Sequence, residues 1–139
     1  MAFWEWQETY SININKFDVH HQKLFTLINN LYASVFQCKD TCQKQVLIRK
    51  TLAELVDYTY YHFAQEEEFL LTYEYPDYMP HKEEHEQFKK HLTQLMEQYE
   101  DDTFVWSLPV LIFLKDWISL HVLNTDKQYG SYLNEKNVK

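Results

Sequence analysis

Apolar residues return along this chain at the spacing of helices with one buried face. The clearest run is 51–71, TLAELVDYTYYHFAQEEEFLL, where Leu52, Leu55, Val56, Thr59, Phe63, Phe69 and Leu70 share one arc. Its neighbours repeat the pattern. His21, Leu24, Phe25, Ile28, Leu31, Tyr32 and Val35 form one stripe, and His81, His85, Phe88, Leu92, Leu95 and Tyr99 form another. Val110, Leu114, Trp117 and His121 begin a fourth. The pattern predicts helices at about 18–38, 41–72, 79–99 and 107–126, with Asp18 capping the first. Pro80 and Pro109 suit first turns, and Pro76 breaks the second helix from the third. Residues 1–17 lack a helical period, and Trp4, Trp6, Tyr10, Ile12 and Ile14 read as an extended arm over the core. An acidic corner is expected at 100–103, and the polar last dozen residues read as a short frayed tail. The expectation is a single all-α domain spanning 1–139: an up-down-up-down antiparallel four-helix bundle with an extended N-terminal arm.

The stripes are not purely apolar. His62 and Glu66 sit one turn apart in the middle of the second, and no Lys or Arg lies within a turn of Glu66 on that face. His21 lies near the centre of the first stripe, while His20 falls ~80° away; His81 and His85 lie in the third, and His91 ~80° off it. In an antiparallel bundle the start of one helix lies beside the end of its predecessor. His21 precedes the first corner by about as many residues as His62 follows it, so their heights agree to ~5 Å at ~1.5 Å per residue. The same holds for His85 and His121 about the third corner, and Asp126 closes the fourth helix. A lone buried histidine is ordinarily a hydrogen-bonded core residue, and a lone buried carboxylate ordinarily finds a cation. Five histidines and two carboxylates at one level would instead be an expensive, half-satisfied polar cluster unless metal held them. Seven ligands exceed what one ion takes, so two divalent ions are expected. Imidazole with carboxylate suits iron, zinc or manganese.

Composition narrows the partners. A net charge of -8 argues against nucleic acid or an anionic membrane, since both need a basic face. No stretch reaches the ~18 apolar residues of a membrane span. The N-terminus, with Glu5 and Glu8 among its aromatics, does not read as a signal peptide, so a cytoplasmic location is expected. Cys38 and Cys42 are expected as reduced thiols at a helix corner, with a redox pair or disulfide as the alternatives.

The segments FDVHHQKLF (17–25), HFAQEE (62–67), HKEEH (81–85) and WISLHVLNTD (117–126) resemble the four ligand signatures of the hemerythrin family. The likeness runs over about residues 4–129, including the aromatic arm. It implies two irons with an oxo or hydroxo bridge. By the resemblance His81, His85 and His121 hold one iron, His21 and His62 hold the other, and Glu66 and Asp126 span both. One departure is His20, where bacterial relatives usually have Gln. The implied activity is reversible binding of dioxygen as a ligand, for storage, transport or delivery to an oxygen-consuming enzyme, and not catalysis. A di-iron oxidase or peroxidase and an oxygen or redox sensor module are the alternatives. Leu24, Phe63 and Trp117, each within a turn of a ligand, are candidates for the oxygen-pocket walls or simply for core. A monomer is expected.

Overall fold

The computed structural model of the chain describes residues 2–100 and 106–139, without the side chains of residues 41 and 42. Most of the expected acidic corner at 100–103 therefore lies outside the described residues. The helices are α1 (Asn15–Phe36), α2 (Thr41–Thr72), α3 (Tyr78–Tyr99), α4 (Leu108–Leu120) and α5 (Lys127–Glu135). A π-helical turn, His121–Asp126, joins α4 to α5 without a break. The helices form an all-α up-down-up-down bundle, α1 packing on α2 and α4, and α2 on α3. Among the described residues no helix is long and apolar enough to cross a membrane.

The stripes become the core. His21, Leu24, Ile28, Leu31, Leu55, Phe63, Leu70, Phe88 and Leu92 are all buried. On α4 and the turn after it, Leu114 and His121 of the expected stripe are buried, while Leu111 and Ile118 take the places expected of Val110 and Trp117. Val110 and Trp117 are accordingly half-buried.

Three sequence expectations need correction. The first helix begins at Asn15, after Ile14, and Asp18 is not its cap. Asp18 sits one turn inside, where its carboxylate accepts the Ser11 hydroxyl at 2.6 Å and the Ile12 amide at 2.9 Å. It fastens the arm to α1 while favouring the positive helix start. The arm is not wholly extended, since Glu8–Tyr10 form a short 3-10 turn. It is docked by Trp4, which stacks on Phe25 at 3.4 Å and exchanges backbone hydrogen bonds with the Asn29 amide at 2.7 and 2.8 Å. The third correction is the tail. Residues 127–135 are helical, Tyr129 and Leu133 are fully buried, and Gly130 lets the helix backbone approach Ile12 so closely that a Cβ would lie 2.5 Å from the Ile12 carbonyl. Polar composition concealed a helix whose buried face is only three residues wide.

The π turn decides where Asp126 points. Five residues along an α-helix turn a side chain ~140° from its starting face at ~100° per residue. The wider i to i+5 turn brings it back beneath His121. His121 and Asp126 can thus share one core site.

Candidate metal centre

The level predicted from the corners is occupied. His21, His62, Glu66, His81, His85, His121 and Asp126 are all buried, Glu66 and Asp126 fully. Every imidazole turns Nε2 inward. His62 Nε2 and His85 Nε2 lie 3.3 and 3.2 Å from Glu66 Oε1, and His81 Nε2 lies 3.8 Å from it. Asp126 Oδ1 lies 3.0 Å from His121 Nε2 and 3.3 Å from His81 Nε2, while its Oδ2 lies 3.0 Å from His21 Nε2. The ligand atoms fall into two groups, each within 4.8 Å: Glu66, His81, His85, His121 and Asp126, and His21, His62, Glu66 and Asp126. Glu66 and Asp126 belong to both. The structure brings together every sequence-predicted ligand and leaves His20 and His91 out of both groups.

These atoms suit a cation. His21 Nε2, His81 Nε2, Glu66 Oε1 and both oxygens of Asp126 are buried without a hydrogen-bond partner. Inward lone pairs crowded at 3.0–3.8 Å without hydrogen-bond geometry are costly unless something positive sits among them. Without metal that positive charge comes from protons. Burial opposes charge on His21, but Asp126 and Glu66 outweigh it and push the ring up to about 9. Against the same burial, Asp126, Glu84 and Glu66 push His121 up to about 10. Glu66 and Asp126 are themselves held well below the usual carboxylate range: burial opposes this, and the surrounding histidines prevail. Burial pushes His62 down.

Sequence reasoning missed the groups that hold the ligands. Glu67 Oε2 lies 2.8 Å from His85 Nδ1, and Glu84 Oε1 lies 3.0 Å from His121 Nδ1. Both carboxyls are lowered, Glu67 by His85 in spite of burial and Glu84 chiefly by the His121 hydrogen bond. The Tyr129 hydroxyl donates to Glu66 Oε2 at 2.5 Å. Glu67 and Glu84 adjoin ligands in sequence, but nothing in the spacing showed that they turn inward. Tyr129 lay in the presumed tail.

Of the suggested pocket walls, Leu24 is buried, Phe63 stacks on His85 at 3.8 Å, and Trp117 stacks on His121 at 4.8 Å. Phe63 and Trp117 thus flank the three-histidine group. The expected thiol corner is described in part: Cys38 is a free thiol, and the Cys42 side chain lies outside the described residues.

A four-helix bundle with a buried histidine and carboxylate cluster shared between two ligand groups defines a class of metal-binding bundle proteins. The Hemerythrin HHE cation binding domain family matches residues 13–133, and the chain belongs to that family. It is 29% identical over 127 residues to a bacteriohemerythrin of Clostridium acetobutylicum, covering 89% of this chain and 96% of that one. It is 26% identical over 128 residues to a hemerythrin-like protein of Naegleria gruberi, with 92% of each covered. A wild-type hemerythrin crystal structure superposes with a TM-score of 0.84 at 25% identity, over 94% of this chain and 97% of that one.

Proposed function

We propose that the chain binds dioxygen reversibly at a di-iron centre. His81, His85 and His121 would hold one iron and His21 and His62 the other, with Glu66, Asp126 and an oxo or hydroxo bridge spanning both. The observation that carries this reading is the shared carboxylate pair, with Asp126 turning one oxygen toward each group. The irons would supply electrons lent to dioxygen and recovered on its release. Three imidazoles against two leave the His21 and His62 position a ligand short, room for a small diatomic.

The protein's own part is to hold, neutralise and dry the site. Oxygen-activating di-iron bundles use a Glu from each helix and two His. Five neutral imidazoles with two carboxylates stabilise the lower oxidation state instead, which favours release over oxidation of a second substrate. Tyr129 fixes Glu66 from outside the centre. Leu24 and Phe63 present apolar surface that keeps proton donors away. A carrier, store or delivery module follows, supplying an oxygen-consuming enzyme.

The test is repeated exposure of the reduced, iron-loaded protein to air and then argon, with an optical spectrum at each step. The spectrum should cycle. Steady, irreversible oxygen consumption with release of oxidised product would replace this reading with a di-iron oxidase or peroxidase.

A further inference from the structure

An imidazole that offers Nε2 to a metal carries its proton on Nδ1, and the partner of that proton tunes the ring. These partners differ between the two groups. His85 and His121 face the carboxylates of Glu67 and Glu84, and Glu84 also accepts the Thr125 hydroxyl at 2.8 and 2.9 Å. His62 Nδ1 instead lies 2.8 Å from His20 Nδ1. A contact between two ring nitrogens needs one N–H and one lone pair. With His62 Nε2 facing the centre, His62 Nδ1–H donates and His20 Nδ1 accepts, so His20 must be neutral with its proton on Nε2. Its surroundings fit, since the rings of Phe17, Tyr58 and Tyr61 pack around it at 5.3, 5.9 and 5.7 Å.

A carboxylate accepting from Nδ1–H pushes electron density into the ring and strengthens Nε2 as a ligand; a neutral imidazole does so far less. We propose that these outer partners rank the two metal positions. Glu67 and Glu84 make the His81, His85 and His121 position the tight one, while His20 acts as a neutral positioning residue that leaves the His21 and His62 position exchangeable. The proposal rests on the two-metal reading above. Its consequence is that full occupancy, and with it dioxygen uptake, follows the free metal level through one position alone.

The experiment titrates metal-free protein with cobalt(II) at free concentrations set by a competing chelator. Cobalt absorption counts the ions, and paramagnetically shifted Nδ1–H resonances identify the histidines at each step. Two steps are expected, the first shifting His85 and His121 and the second His62. Ligand number alone predicts that order, so variants decide. Glu67→Gln and Glu84→Gln, singly and together, should weaken the first step roughly ten- to a hundredfold and leave the second in place. His20→Glu should tighten the second step, whereas His20→Gln, another neutral acceptor, should leave it unchanged. Thermal unfolding of each metal-free variant checks the fold. The ranking is overturned if two ions bind but no variant moves its own step, or if His62 reports first. Fewer than two ions at saturation would instead sink the two-metal reading, and the ranking with it.

Discussion

Without metal, this protein should lose stability as the solution turns mildly alkaline. His21 and His121 are the main cause, pushed from 6.5 up to about 9 and about 10 by the buried carboxylates, and His85, raised against its burial by Glu66 and Glu67, acts in the same direction. A raised histidine stabilises the fold fully below 6.5, and that contribution disappears as pH rises through the folded value. Between 6.5 and 9 the folded chain holds about two protons that the unfolded chain has released. Each is worth about 1.4 kcal/mol per pH unit, so stability should fall by about 4–5 kcal/mol between pH 6.5 and 8.5. That is much of the 5–15 kcal/mol typical of a domain. On the acid side the signs reverse. His20, lowered to about 4, and His62, also lowered, favour the fold above 6.5 and cost stability as pH falls. Glu66 and Asp126, lowered, add to the loss below their ordinary values of 4.5 and 3.8. The optimum therefore lies near pH 6.5. Urea unfolding of metal-free protein, followed by far-ultraviolet circular dichroism at pH 5.5, 6.5, 7.5 and 8.5, measures it. A midpoint that holds or climbs from 6.5 to 8.5 would refute the proton-for-metal reasoning. Metal-loaded protein should show the opposite trend, because the metal must expel those protons.

Other expectations are briefer. At saturating metal, His21→Ala should reduce the metal count by elemental analysis, whereas His20→Ala and His91→Ala should each retain two ions; loss in His20→Ala but not His21→Ala would reverse the assignment on α1. Leu24→Ser should hasten the decay of reversible oxygen cycling while both irons stay bound, read from spectra over successive cycles. Gly130→Ala sets a Cβ against the Ile12 carbonyl and should cost about 1–3 kcal/mol in urea unfolding, with the arm tryptophans Trp4 and Trp6 reporting by fluorescence. An unchanged midpoint would mean that the arm yields at no cost.

The sequence carried the bundle and the level of its site because four amphipathic stripes broken by Pro and short corners admit few packings. Glu66 was legible because a carboxylate without a neighbouring cation has no other reason to lie in a core stripe. Asp126 was less so: its place at the end of the fourth helix set its height, but spacing in a regular helix turns it away from His121. Local periodicity assumes one residue angle throughout, and a π turn breaks that assumption. α5 was hidden for a different reason, its polar composition and a buried face of only Tyr129, Gly130 and Leu133. The partners Glu67 and Glu84 were unreadable for another reason, since each sits at a stripe edge where exposure and inward contact look alike in sequence.

The π turn also sets the angular phase of everything after it. Asp126, Tyr129 and Gly130 all take their directions from the extra residue wound into His121–Asp126. Removing one residue there, Leu123 for instance, with a return to regular α winding would set the aspartate four residues after His121, ~40° from its face at ~100° per residue, and leave the direction of the following helix nearly unchanged. Regular winding of all six residues as they stand would instead swing the following helix by about 100°, so that Asp126 would leave the histidines, Tyr129 would leave Glu66, and Gly130 would turn from Ile12. The proposed metal ligand, its outer support and the seat of the N-terminal arm are geared to a single shaft. A segment one residue shorter should therefore hold the same site, provided that it winds as regular α-helix.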